Sequence, residues 1–284
     1  MANVLLTGAA GAIGMDLAFS LNQAKINVFA TEADRDNFFL VSKSCKYYNK
    51  VFQAPRAGSE EYINRVNEII TKENIDIIIP NPDFEVGFMS KIREQIKSPL
   101  FLPSHETVEI LLSKSLTAKM IGDLAPKTFE VSNEADLKIA ISSEKVVWLR
   151  PKTGAGGKGS LVVSDSKFGW MWIEYWKKRG FSSSWIAQEY LDGGNYNVTL
   201  IYDRNSNLCG MGMLERLGYI HEAISPTGVT GDVRMAKTIK LDNVVNIAKN
   251  AVNMIDKNPV GIFSVDLMGD KVSEINPRFA GRPR

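Results

Sequence analysis

Val260-Gly-Ile-Phe-Ser-Val-Asp266-Leu-Met-Gly-Asp-Lys-Val-Ser-Glu274-Ile-Asn276-Pro-Arg278 is two β-branched, apolar runs punctuated by Gly269-Asp270. That pattern predicts a β-hairpin. Side chains alternate faces along a strand, so Glu274, Asn276 and Arg278 project from one side. A carboxylate, an amide and a guanidinium in one row are costly to bury without a purpose. A hard cation beside a phosphate supplies one, because Mg²⁺ takes one or two carboxylates and lets nucleotide phosphates complete its shell. The plain alternative is an edge hairpin with a solvated Glu and Asn.

The hairpin's register depends on its loop. Asp266 shares a face with Glu274 if the loop holds an odd number of residues, which a three-residue loop from Gly269 to Lys271 provides. A two-residue Gly-Asp turn places Asp266 on the opposite face. The expectation is therefore the odd loop.

Asp266 followed by Glu274-x-Asn276-Pro277-Arg278 resembles the metal-binding end of the ATP-grasp superfamily. The pattern is similar to that of the carbamoyl-phosphate-synthase-like carboxylate–amine ligases, whose second strand carries Glu-x-Asn-Pro-Arg. The resemblance implies that Asp266, Glu274 and Asn276 bind Mg²⁺ or Mn²⁺.

Outward from this end, the bulk properties set bounds. A chain of 284 residues supports one large or two ordinary domains. Lys plus Arg exceeds Asp plus Glu by only two, so no basic footprint calls for nucleic acid. No apolar run approaches a membrane span, and the N-terminus runs straight into a strand without a signal-peptide pattern. Cys45 and Cys209 form neither a disulfide framework nor a metal spacing. The expectation is a cytoplasmic protein without nucleic-acid or membrane partners; a homodimer stays open.

The first hundred residues alternate strands and helices. Asn3 to Thr7 and Ile26 to Thr31 read as strands, separated by a helix with Ile13, Leu17, Leu21 and Ala24 on one stripe. Ser59 can cap a helix carrying Ile63, Val66 and Ile70. Ile75 to Pro80 reads as a strand covered on both faces, followed by a helix over about 84–97 and a short strand at 100–102. Such alternation predicts a doubly wound parallel sheet. Gly8-x-x-Gly11-x-x-Gly14, with Glu32 after the second strand, is similar to the NAD-binding fingerprint of epimerases and short-chain dehydrogenases. Those enzymes also carry a Tyr-x-x-x-Lys pair, and none of the eight tyrosines here has a lysine four residues on; Tyr175 comes nearest, with Arg179. The glycines then read as a tight strand-to-helix turn. Asp83 and Glu85 follow a strand end, where such sheets bind ligands, although acids also suit a helix N-terminus.

After Leu102 the alternation breaks. Ser104 can cap a helix through Leu112, Lys114 opens another, and a boundary falls between about 103 and 113. Val146 to Lys152 is a strand ending in Arg150 and Lys152. The loop Thr153-Gly154-Ala-Gly156-Gly157-Lys158-Gly159 leads into a second strand, Ser160 to Val163. A glycine-rich loop between strands can turn its amides on phosphate; it lacks the Lys-Ser/Thr and the helix of a Walker loop. The Trp185 to Leu191 strand, containing Gln188-Glu189-Tyr190-Leu191, has an edge that could offer adenine one backbone acceptor and one donor. A hairpin over 197–202 and 208–214 follows, with Arg216 and Arg234 as candidate carboxylate partners or solvated surface arginines. Asp242 can cap a last helix.

These stretches extend the ATP-grasp resemblance over residues 105–279. It implies that Lys114, Arg150, Lys152, Gly156 and Gly157 contact the phosphates. It implies that Gln188, Glu189, Tyr190 and Leu191 form the adenine strand, with the Glu189 carbonyl and the Leu191 N–H as its hydrogen-bonding pair. Arg278 and Lys152 are the expected catalytic cations. Asn195 stands where the family usually has a ribose-binding acid, Asp192 being a substitute, and Val229 replaces a histidine. The expected organisation is α/β, turning α+β in the second half. Residues 1–105 form a Rossmann-like domain ahead of an ATP-grasp domain, 106–284. The latter divides into a glycine-loop part (about 113–190) and a metal-site part (about 191–284). The implied activity is an ATP- and Mg-dependent ligase joining a small-molecule carboxylate to an amine. Rivals are an NAD-binding epimerase or dehydrogenase and a non-catalytic ATP-binding protein. The chain stops at Phe279-Ala-Gly-Arg-Pro-Arg284, where the family continues with a helix; a truncated chain or a reduced member is implied.

Overall fold

The computed structural model describes residues 1–154 and 156–280. Ala155 of the glycine-rich loop and the chain end at 281–284, on which the truncation reading falls, lie outside the described residues.

In chain order, the first part runs β1 (Asn3–Thr7), α1 (Ala12–Gln23), β2 (Asn27–Glu32), α2 (Arg35–Ser44), β3 (Lys50–Gln53), α3 (Glu60–Glu73), β4 (Ile77–Ile79) and α4 (Asp83–Lys91). The strands are parallel, in the order β3-β2-β1-β4. Alternate side chains of β1 serve opposite faces. Leu5 packs with α3 and α4, while Val4 and Leu6 pack with α1 and α2. The sheet is thus doubly wound, as the alternation predicted. The strand at 100–102 reduces to one parallel bridge between Leu100 and Ile78. The helix over 84–97 ends early, at Lys91, and becomes a 3₁₀ turn at Arg93–Gln95.

Next come α5 (His105–Leu112) and α6 (Lys114–Ile121), capped by Ser104 and Ser113. A four-stranded antiparallel sheet follows, from β5 (Thr128–Val131), β6 (Val147–Pro151), β7 (Leu161–Val163) and β8 (Trp185–Glu189), ordered β5-β8-β6-β7. It is covered by α7 (Glu134–Glu144) and α8 (Ser166–Lys178).

The last sheet joins β9 (Asn195–Tyr202), β10 (Leu208–Tyr219), β11 (Val233–Thr238), β12 (Gly261–Met268) and β13 (Lys271–Asn276), ordered β11-β10-β9-β12-β13. One face is apolar: Val198, Leu200, Val265, Leu267, Val272 and Ile275 pack on α9 (Asp242–Ile255) and its neighbours. Asp242 is the first residue of α9 rather than its cap; Leu241 precedes it without a side-chain bond.

The terminal hairpin corrects the loop expectation. Met268 pairs with Lys271, so the loop holds two residues, Gly269 and Asp270, with Gly269 at φ +60°. Glycine at the first central position suits a type II′ turn. Asp266 nevertheless pairs directly with Glu274, because a bulge leaves Ser273 unopposed between the Asp266–Glu274 and Leu267–Val272 pairs. One extra residue reverses the alternation beyond it. Thus Val272 faces the core and Glu274 the opposite side.

Candidate functional site

The other face of the last sheet is polar because paired residues on neighbouring strands share a face. Asp266 is paired with Glu274 on β13 and with Asn197 on β9; Ser264 with Asn276 and Thr199; Arg216 with Asn195. This face forms one wall of a cavity of about 800 Å³. The glycine-rich loop, the end of β8 and the α1 N-terminus provide the other walls.

Charge in the cavity is laid out as ion pairs. Arg150, near the end of β6, donates to Glu274 Oε2 at 2.6 Å, and Lys114 at the start of α6 lies 3.5 Å from the same oxygen. Asn276 Nδ2 donates to Glu274 Oε1 at 3.2 Å. Burial works against ionising Glu274, but Lys114 and Arg150 prevail and hold its carboxyl down at about 2. Asp266 Oδ1 accepts from Arg216 and from Asn197, each at 2.7 Å. Burial pushes the Asp266 carboxyl up against that pull. Arg278 makes a two-bond contact with Asp83, at the N-terminus of α4. The terminal hairpin is thereby tied to the parallel-sheet region.

Lys114 also donates to the Gly154 carbonyl at 2.6 Å, holding the glycine-rich loop against α6. Burial lowers its ammonium pKa despite Glu274. Gly156 and Gly157 are both left-handed (φ +73° and +68°), a conformation that L side chains rarely adopt. They meet a second loop: a β-carbon on Gly157 would lie 3.1 Å from the Val229 carbonyl, and one on Gly231 would lie 2.6 Å from Gly156 Cα.

Most of the expected residues face this cavity, including Gln188, Glu189, Leu191, Gly156 and Gly157. Two do not. Lys152 lies one residue past β6, where the strand's alternation no longer governs direction, and its ammonium pairs with Glu130 at 3.0 Å. Tyr190 is partly exposed and stacks on Trp148, 6.3 Å between centroids. Asn195 lines the cavity and donates to the Tyr219 hydroxyl, whereas Asp192 does not line it. Of the two candidate arginines, Arg216 is inside, and Arg234 lies outside, paired with Glu222. Asp83 lines the cavity; Glu85 sits beneath it, accepting from the Tyr62 hydroxyl at 3.0 Å.

The N-terminal glycines have internal reasons to be glycine. A β-carbon on Gly8 would sit 2.7 Å from Pro82 Cγ, and one on Gly14 would sit 2.6 Å from the Gly8 carbonyl. Close packing therefore accounts for both. The sequence reading missed Asn197, Ser264 and Thr199, which sit beneath Asp266. Their signal was available: Asn195, Asn197 and Thr199 alternate with the apolar residues of β9.

Among the described residues no cluster of three or more His, Cys, Asp or Glu forms a self-sufficient metal cage. Two carboxylates and an amide on one face suit a hard cation such as Mg²⁺ or Mn²⁺, which takes oxygen donors and leaves positions for other ligands. Among the described residues, no helix is long and apolar enough to cross a membrane.

Comparison with known proteins places this geometry. Residues 112–282 match the family model described as an ATP-grasp domain. No curated protein sequence matches the chain. Among solved structures, N5-carboxyaminoimidazole synthetase from Staphylococcus aureus is similar at a TM-score of 0.67 and 17% identity, over 98% of this chain and 70% of that one. The L-amino acid ligase from Bacillus licheniformis is similar at 0.70 and 15%, over 99% and 69%. Biotin carboxylase from Campylobacter jejuni, in a β-γ-ATP complex, is similar at 0.67 and 17%, over 98% and 65%. Identities this low speak to the fold.

Proposed function

The chain belongs to the ATP-grasp family, and on that premise we propose that it is an ATP-dependent ligase that activates a carboxylate for attack by an amine. One observation carries the reading. Asp266, Glu274 and Asn276 share a sheet face across a single cavity from Arg150, Lys114 and the glycine-rich loop.

In this reading ATP lies with its adenine along Gln188–Leu191 and its phosphates toward Arg150 and Gly156–Gly157. Asp266, Glu274 and the Asn276 amide oxygen would hold Mg²⁺, which supplies charge neutralisation on the phosphate oxygens. Arg150 and Lys114 now neutralise Glu274; with a triphosphate present they turn to phosphoryl oxygens and stabilise the charge that develops there. Arg278, kept in place by Asp83, faces the same reaction space. A substrate carboxylate oxygen attacks the γ-phosphorus, the bond to the β-phosphate oxygen breaks, and ADP leaves. The amine nitrogen then attacks the acyl phosphate, releasing phosphate and forming an amide. No side chain need become covalently attached, because alignment and fixed charge can supply most of the acceleration.

Lys152 has no part in this reading, since Glu130 holds it outside the cavity. The proposal keeps residues 1–105 as a first unit and 106–284 as the ATP-grasp unit. It places the protein in the cytoplasm with small-molecule carboxylate and amine substrates. The NAD-dependent alternative gains nothing, given that packing explains Gly8 and Gly14.

The test is Mg²⁺-dependent ADP release across a panel of carboxylates and amino acids, with Glu274→Gln as control. The wild type should release ADP only with a matching carboxylate, and the variant should lose at least ~100-fold, the scale of removing one charge-stabilising group. Equal turnover in the variant removes the metal assignment. Tight ATP binding without ADP release under any pairing supports a non-catalytic ATP-binding protein instead.

A further inference from the structure

Beneath Asp266 lies a polar chain with no direct place in the scheme above. Asn197, Thr199 and Ser264 are almost wholly buried, at 2%, 4% and 0% exposure. Polar groups buried so deeply are costly unless fully paired. Their pairing is complete around one amide. Asn197 Nδ2 donates to Asp266 Oδ1 at 2.7 Å and to Ser264 Oγ at 2.8 Å, while Asn197 Oδ1 accepts from the Thr199 hydroxyl at 3.2 Å. Reversing the amide would aim its oxygen at the Asp266 carboxylate and lose both donors, so this environment permits one orientation.

The consequence falls on Asp266. Its Oδ1 takes two donors, Asn197 from below and Arg216 from the side. Its Oδ2 accepts no hydrogen bond among the described residues, and Asp266 lines the cavity. We infer that Asn197, locked by Thr199 and Ser264, is a positioning residue that fixes Asp266 by one oxygen and presents the other to the cation. The inference rests on the metal reading of this site. An apolar residue of the same size at position 197 would leave Asp266 held only by Arg216. That single tie lets the carboxylate rotate about its Cβ–Cγ bond, turning either oxygen away from the cation. Groups that orient metal ligands in this way typically change metal affinity by ~10–100-fold when removed.

The experiment measures Mn²⁺ binding to the ADP-saturated protein by electron paramagnetic resonance, and metal-free ADP binding by calorimetry. Variants are Asn197→Leu, of similar volume, and Thr199→Val, which removes only the amide's lock. Asn197→Leu should weaken Mn²⁺ binding by ~10-fold or more, while metal-free ADP affinity stays within about twofold of wild type. Thr199→Val should shift Mn²⁺ affinity the same way by a smaller factor, and it carries the test alone should the leucine variant fail to fold. A merely structural role would lower thermal stability without separating the two affinities. Unchanged Mn²⁺ affinity in a folded variant overturns the inference alone. A wild type that binds no Mn²⁺ in the presence of ADP overturns the metal reading and the inference with it.

Discussion

Glu85 shows how one carboxyl near the cavity can serve the fold rather than the chemistry. It is buried against the Tyr62 and Thr7 hydroxyls, and burial raises its pKa, with Glu32 adding to the shift. A carboxyl whose folded pKa lies above its unfolded value of 4.5 stabilises the fold fully below that value. Its contribution is lost as pH rises through the folded value. Glu85→Gln keeps an acceptor for Tyr62 and removes the charge. Its melting temperature should therefore exceed wild type at pH 8, with the difference shrinking as pH falls to 4; a difference independent of pH would contradict the assignment. Asp83, two positions earlier, is instead held in a two-bond contact with the Arg278 guanidinium and lines the cavity. Residue type alone did not separate these two acids, since both precede or open a helix in the sequence. Their different partners, Tyr62 on α3 and Arg278 just past β13, come from elsewhere in the chain.

At the scale of elements, the last hairpin decides the site, and most of it could be read in advance. Alternation placed Glu274 and Asn276 together, and Gly269-Asp270 marked the turn. The bulge at Ser273 was not legible, because nothing in Lys271-Val-Ser-Glu274 distinguishes a strand with one surplus residue from a regular one. The loop was therefore expected to hold three residues, although the shared face of Asp266 and Glu274 is as expected. Elements with few buried residues escaped altogether. α2 buries only Val41 and β3 only Phe52, so neither carries an apolar stripe to find. Lys152 was expected at the phosphates from the resemblance and from a strand taken to run through it, but β6 ends at Pro151 and the Lys152 ammonium turns to Glu130. Where β12 begins, Gly261 sits at φ +91° with a would-be β-carbon 2.9 Å from the Leu102 backbone. Both the conformation and the backbone contact exclude a side chain. Gly261→Ala should destabilise the fold by about 1–3 kcal/mol, the usual scale of such backbone strain, measured by urea unfolding. A loss below a few tenths would show that Leu102 and β12 are not in contact.

For the molecule as a whole, three sheets converge on one cavity, and its charges are mutually neutralised before any ligand arrives. Arg150 and Lys114 face Glu274, Arg216 faces Asp266, and Arg278 faces Asp83. This balance has a consequence for binding. A nucleotide entering alone must compete with Glu274 for Arg150 and Lys114, while a cation entering alone must compete with those two for Glu274. Together they exchange partners, so each favours the other, and the coupling is reciprocal. Sequence order identified the participants, but only the three-dimensional pairing shows that the metal's carboxylates and the phosphate's cations hold one another. The most direct measurement is a calorimetric titration of ATP, with and without Mg²⁺, into the wild type and Glu274→Gln. The expected result is a crossover. Mg²⁺ should tighten ATP binding to the wild type by ~10-fold or more, within the usual 1–3 kcal/mol of coupling between sites. The variant, with Arg150 and Lys114 released, should bind metal-free ATP more tightly than the wild type and gain little from Mg²⁺. Equal Mg²⁺ enhancement in both proteins would contradict the placement of the cation between Asp266 and Glu274.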